Sequence, residues 1–218
     1  MEEFSYNKFG STKKQLSELK KLIGQKVTET KMDVFLTKNP EIFAFALHGF
    51  QTGHHGIVVI PKQQIKAKSK IAKKDYGLIP DFLLAGENSD GYQWWVLEIK
   101  GVSHKVFKND KTGRVCFTDT ANKGLLQLLE YIDFCNKYQS TLRDTFNLED
   151  FREPNGLFII GHEDEYKDSK KKAMKSAWNR MHQKKLEIRS FSWLAREFYL
   201  QDQVHDFKKN GNSPSWFR

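Results

Sequence analysis

The strongest hydrophobic and polar pattern in the chain is a pair of apolar runs around a polar turn. Ile79-Pro80-Asp81-Phe82-Leu83-Leu84 leads to Gly86-Glu87-Asn88-Ser89-Asp90-Gly91, and then comes Tyr92-Gln93-Trp94-Trp95-Val96-Leu97-Glu98-Ile99-Lys100. Two such runs bracketing a Gly/Asn/Ser/Asp turn predict a β-hairpin. Leu16, Leu19, Leu22 and Ile23 recur at helical spacing and predict a helix over 12–23, with Thr12 as cap and Gly24 as stop. A second helix is expected over 28–38, with Val27, Val34 and Phe35 on its apolar side, ended at Asn39-Pro40 because proline cannot continue the hydrogen bonding. Residues 41–47 read as one or two more helical turns, and Gly56-Ile57-Val58-Val59-Ile60-Pro61 reads as a strand.

Beyond Lys100, two short runs flank Asn109-Asp110-Lys111-Thr112-Gly113 and predict a second, more exposed hairpin. A long helix capped by Asp119 or Thr120 should reach about Tyr138, with Leu125, Leu128, Leu129 and Ile132 as its apolar stripe. Residues 139–156 read as a polar connection, and 157–161 as a buried strand. A basic helix over 168–185, a strand over 186–191, a closing helix over 193–200 and a polar tail over 201–218 complete the order. These elements make one α/β domain with a mixed sheet flanked by helices.

Side-chain alternation gives the hairpin its chemical interest. Trp95, Leu97 and Ile99 share one strand face, while Trp94, Val96, Glu98 and Lys100 share the other. Glu98 and Lys100 are thus same-face neighbours roughly 6–7 Å apart at Cα, and an antiparallel partner strand brings Asp81 beside Glu98. Two carboxylates and an ammonium at the end of an apolar hairpin are costly unless neutralised. A divalent cation would do so. An ordinary salt bridge between Lys100 and one acid is the plainer alternative.

Composition narrows the classes. The 218 residues, with 17 Phe and 5 Trp, suffice for one sizeable core. No apolar run of about 18 residues occurs, so no span and no membrane partner are expected. The first residues lack the basic and apolar blocks of a signal peptide, and cytoplasmic placement is expected. The two cysteines, Cys116 and Cys135, are too few for a disulfide framework and read as reduced thiols. His54-His55 has no third ligand at a familiar spacing, which argues against zinc. The net charge of +9 favours a polyanionic partner. A lysine run opens at Lys62, and from it Lys66, Lys68, Lys70, Lys73 and Lys74, with Lys171 and Lys175 on the basic helix, are the candidate phosphate contacts.

With Pro80-Asp81 followed by Glu98-Ile99-Lys100 in this order of elements, the chain resembles the PD-(D/E)XK nuclease superfamily. Glu29 on the helix before the first strand and the Q-x-x-x-Y pair, Gln127 and Tyr131, strengthen the likeness. Together with Phe35-Leu36-Thr37-Lys38-Asn39-Pro40 and Trp95-Val96-Leu97, these features resemble most the Shedu anti-phage nuclease domain, over about 27–195. The resemblance implies a restriction-endonuclease-like core of αβββαβ order spanning 27–200, after a helical arm over 1–26 and before the 201–218 tail. It implies a Mg²⁺-dependent (or Mn²⁺-dependent) DNA endonuclease or nickase, leaving 5′-phosphate and 3′-hydroxyl ends and serving phage defence. Asp81, Glu98, the Ile99 carbonyl and Glu29 are then the expected metal ligands. Lys100, Gln127 and Tyr131 are the other expected catalytic residues, and a homo-oligomer, dimer or tetramer, is expected. A repair or recombination nuclease and a non-cutting nucleic-acid-binding module of the same fold are the alternative readings.

Overall fold

The computed structural model of the chain describes residues 13–53, 55–62, 65–66, 77–183 and 185–196, with Phe45 and Lys66 described by their backbones alone. Three helices come first: α1 (Lys13–Gly24), α2 (Glu29–Lys38) and α3 (Ile42–Gly49). Strand β1 (Gly56–Pro61) is followed by a two-residue ladder, β2 (Ile65–Lys66) with β3 (Gly77–Leu78), and by the hairpin β4 (Phe82–Asn88) and β5 (Gly91–Lys100). A smaller hairpin, β6 (Phe107–Asn109) and β7 (Val115–Phe117), precedes α4 (Asp119–Lys137) and α5 (Gln139–Phe146). Then come β8 (Asn155–Ile160), a 3-10 turn over Glu163–Lys167, α6 (Ser169–Met181) and β9 (Leu186–Arg189), closed by a helical segment over 191–196. Residues 1–12 of the expected 1–26 arm, the tail over 201–218 and the last turn of the closing helix lie outside the described residues.

The main sheet has the order β1-β4-β5-β8-β9. Pairs β1·β4 and β4·β5 are antiparallel, whereas β5·β8 and β8·β9 are parallel. Parallel neighbours need a crossover, and here α4 with α5, then α6, supply the two crossovers. The result is a mixed sheet flanked by helices, and α2, β1, β4, β5, α4 and β8 follow the expected αβββαβ order.

The alternation on β5 decides which layer lies on which face. Trp95, Leu97 and Ile99 pack with Phe82, Leu157 and Ile159 under α1, α2 and α3. Trp94 and Val96 pack with Leu83, Phe158 and Ile188 under α4, α5 and the small hairpin. Large side chains such as Phe82, Phe158 and Phe191 are fully buried, and each contributes about 2–3 kcal/mol relative to exposure.

Local details correct several expectations. The buried side of α2 is Met32, Phe35 and Leu36, while Val34 is 47% exposed. Positions 32, 35 and 36 form the i, i+3, i+4 stripe, and Val34 falls on the opposite side. Thr118, not Asp119 or Thr120, caps α4, its hydroxyl accepting from the Ala121 N–H at 3.1 Å. On α4 the buried stripe is Ala121, Gly124, Leu125, Leu128, Tyr131 and Cys135, while Leu129 stands exposed. Part of the expected polar connection is helical: α5 buries Leu142 and stops at Asn147, whose φ of 51° is left-handed. Two apolar residues in eight, Leu142 and Phe146, leave such a helix little periodicity to read. The basic helix ends at Met181.

The small hairpin is exposed only toward its tip. Phe107 is buried and stacks on Phe117 at 5.1 Å, with Trp178 of α6 edge-on to Phe117. The Glu165 carboxylate accepts from the N–H groups of Val106 (2.9 Å) and Phe107 (2.8 Å), which fixes its base. Cys116 and Cys135 are both free thiols, and burial pushes that of Cys135 up to about 12. No helix among the described residues is long and apolar enough to cross a membrane.

Candidate active site

The register of β4 and β5 pairs Phe82 with Leu97, so Asp81 falls beside Glu98 at the end of the ladder. There the regular pairing gives way to a side-chain contact, in which the Ile99 N–H donates to Asp81 Oδ2 at 2.8 Å. The other oxygen of Asp81 accepts from Lys62 Nζ at 2.6 Å. Lys100 Nζ donates to Glu98 Oε1 at 2.7 Å and lies 3.6 Å from Glu29 Oε1.

Glu29 reaches the group because the start of α2 abuts the end of β5. A Cβ on Gly101 would lie 3.2 Å from the Glu29 backbone nitrogen, so a side chain there would press on the helix start. Thr28 caps the helix, and Glu29 occupies its first turn, where a carboxylate suits the helix dipole. One turn on, Asp33 shares the same flank of α2 and lies 3.2 Å from Lys62 Nζ.

Glu98 is the electrostatic centre. It is only 2% exposed, and its Oε2 is buried without a hydrogen-bond partner among the described residues. Burial first, and the Asp81 carboxylate second, push its pKa up to about 7 against the pull of Lys100, and Glu29 adds to the push. Lys100 is held above the ordinary lysine range: burial opposes its charge, but Glu98, Glu29 and Asp81 outweigh that. Lys62 shifts upward likewise, with Asp81 and Asp33 overcoming the cost of burial.

Gln127 and Tyr131 meet on α4, where the glutamine amide donates to the tyrosine oxygen. The Tyr131 hydroxyl donates onward to the Ile79 carbonyl at 3.1 Å. The pair thus braces the Ile79-Pro80-Asp81 lead-in to β4. Burial is the first cause of the upward shift of this phenol, so it remains a donor at neutral pH. Gly124, one turn before Leu128, makes room for the stem of Lys100: a Cβ there would lie 3.4 Å from Lys100 Cε and 2.6 Å from the Phe158 ring.

The structure therefore gathers Asp81, Glu98, Lys100 and Glu29, with Gln127 and Tyr131 supporting them from α4. Among the described residues, no three His, Cys, Asp or Glu side chains form a group able to hold a metal by themselves. Glu29 is linked to Glu98 through the Lys100 ammonium rather than directly. The donor set still fits a hard cation, because an unpartnered buried carboxylate oxygen sits beside a second carboxylate. Mg²⁺ ordinarily takes one or two carboxylates and completes its shell with water and phosphate oxygen. A cleft of about 750 Å³ between β1 and α5 contains none of these residues.

The expected phosphate contacts are less fully placed. Lys68, Lys70, Lys73 and Lys74 lie outside the described residues, as does His54, and Lys66 is described by its backbone alone. Lys171 is partly exposed on the first turn of α6. Lys175 lies over the Tyr166 ring at 4.1 Å, and burial, with help from Arg189, lowers its pKa to about 8. Sequence reasoning missed Asp33 as a member of the site, and it read Lys62 only as the start of the phosphate-facing lysine run, not as a partner of the carboxylates. The signal available was the four-residue spacing of Glu29 and Asp33 on one helix, and a lysine directly after a strand end.

The mixed five-stranded sheet and its flanking helices make this an α/β protein, an architecture compatible with a restriction-endonuclease-like core. A family model described as Shedu protein SduA, C-terminal, matches residues 26–194, and the chain belongs to that family. No curated protein matches it significantly.

Proposed function

We propose that the protein is a divalent-metal-dependent DNA endonuclease or nickase acting in anti-phage defence. The observation that carries this reading is Glu98: a carboxylate buried with one oxygen unpartnered, beside Asp81 and a lysine on the same strand face. A buried polar atom without a partner calls for an explanation, and an ion is the one the neighbouring charges favour. Membership of the Shedu family supports the defence role.

Asp81, Glu98 and the Ile99 main-chain carbonyl are the groups that would hold Mg²⁺ or Mn²⁺, with Glu29 as a further oxygen donor. Bound there, the ion supplies Lewis-acid relief of phosphate charge and a more acidic water. Lys100 offers three donors on a stem that lies against α4 at Gly124. It orients the attacking water and counters the charge that develops on the phosphate oxygens. Glu98 and Glu29 keep that ammonium protonated. Gln127 and Tyr131 hold Asp81 in place through the Ile79 carbonyl, which is a positioning role. The +9 net charge and the lysines opening α6 favour the DNA backbone as partner.

The test is incubation with supercoiled plasmid, linear duplex and single strands, in Mg²⁺ or EDTA. Asp81→Ala and Lys100→Ala are expected to abolish Mg²⁺-dependent nicking while salt-sensitive DNA binding survives. If both variants cut at the wild-type rate, these roles are wrong. If the wild type binds but cuts nothing, the protein is a binding module.

A further inference from the structure

The cluster is two chains of alternating charge. One runs Glu29, Lys100, Glu98, with contacts of 3.6 and 2.7 Å. The other runs Asp33, Lys62, Asp81, with contacts of 3.2 and 2.6 Å. Each takes one acid from α2, one lysine from a strand or its end, and one acid from the β4–β5 hairpin.

Alike in charge, the two lysines differ in freedom. The stem of Lys100 lies against α4 at Gly124, and its side chain is 17% exposed. Lys62 follows the end of β1, and its side chain is 49% exposed. Its main chain is tied down instead: the N–H donates to the Asp81 carbonyl at 2.9 Å, and φ is 50°. A fixed backbone thus presents a long, half-free stem whose ammonium returns to the same aspartate.

Asp81 has no oxygen to spare in this arrangement. Oδ2 accepts from the Ile99 N–H, and Oδ1 is taken by Lys62. A cation binding Asp81 must share an oxygen with one of these donors, and the Lys62 ammonium on Oδ1 would repel it. Only the Lys62 end of these pairs is open to solvent, since the side chains of Asp33 and Asp81 are 18% and 12% exposed. Lys62 can swing outward when the cation takes over the charge of the two acids it leaves. Lys100, being packed, stays.

We propose that Lys62 is a second active-site lysine, a stand-in for the divalent cation on Asp81 and Asp33 that the cation displaces toward the DNA backbone. It is a positioning residue, and the proposal rests on the nuclease reading above. Metal binding frees a charge for phosphate, and phosphate in turn holds that charge away from Asp81, so metal and DNA strengthen each other's binding.

The experiment titrates the full chain with Mn²⁺, and separately with Mg²⁺, by calorimetry without DNA. Wild type, Lys62→Met and Lys62→Arg are compared, and plasmid nicking is measured alongside. Lys62→Met is expected to bind Mn²⁺ about tenfold more tightly, the scale of two ion pairs that need no longer be broken. Lys62→Arg, which keeps the charge, is expected to stay near wild type. With DNA and Ca²⁺ present, Lys62→Met is expected to reduce the salt slope of binding by about one. A purely structural ion pair would not tighten metal binding when removed. Wild type that nicks plasmid, with Lys62→Met binding Mn²⁺ no more tightly, overturns the Lys62 role alone. Wild type that binds Mn²⁺ but never cuts overturns the nuclease reading, and uptake by none of the three proteins overturns both.

Discussion

Replacing Glu98 by glutamine removes the charge that burial and Asp81 oppose, and the consequence is a change in how stability depends on pH. The folded carboxyl titrates at about 7 against an ordinary 4.5. Between those values the folded state holds a proton that the unfolded chain has released. Stability therefore falls as pH rises through this window, and the full cost is present above it. Two to three pKa units correspond to about 3 kcal/mol, an upper value because Asp81, Glu29 and Lys100 share the titration. Urea unfolding in EDTA, from about pH 5 to about pH 8, is expected to show this loss in the wild type and not in Glu98→Gln. Mg²⁺ should restore stability to the wild type at the upper end, since a ligand that binds only the folded state adds to its stability. It should restore much less to the glutamine variant. Parallel loss of stability in the two proteins would refute the assignment of the shift to Glu98.

Two packing predictions follow from the supports of the site. Gly124→Ala places a methyl 2.6 Å from the buried Phe158 ring and against the Lys100 stem. It is expected to cost about 1–3 kcal/mol and to lower nicking beyond what the stability loss explains, measured by denaturation and plasmid assay. Glu165→Ala strips the acceptor from the buried Val106 and Phe107 N–H groups. An expected loss of about 1–3 kcal/mol per orphaned group should appear as faster hydrogen exchange at those two amides, with β8 and β9 unchanged.

The hairpin was legible because period-two alternation, a Gly/Asn/Asp turn and strand length agreed with one another. That agreement placed Asp81 beside Glu98 and put Lys100 on the same face, as the register shows. The end of α2 was legible from Asn39-Pro40, but the helix's rotation was not. Val34 looked like a core residue, and only packing against Phe35, Leu36 and Met32 turns it outward. The same rotation brings Asp33 to the site, so the error over Val34 and the omission of Asp33 have one cause. Lys62 was hidden for another reason. It stood in a run of lysines, and nothing local distinguishes the one that folds back onto a carboxylate. The helix α5 was missed because its single buried leucine carries no period.

The two charge chains also explain why the site need not collapse into ordinary salt bridges. Two ammoniums stand against four carboxylates, so the cluster is short of positive charge when all are ionised. The shortfall falls on Glu98, the most buried of the four, whose upward shift is the cheapest local response to it. A dication closes the deficit and makes the proton on Glu98 unnecessary. A DNA phosphate then reopens it by one charge, and the lysine with a free stem is the group able to follow that charge. On this reasoning Lys100 is fixed because it acts where the phosphate is cut, and Lys62 is loose because its task changes when the metal arrives. Filling the space at Gly124, which disturbs the fixed lysine, should therefore lower plasmid nicking more than removing the loose one by Lys62→Met.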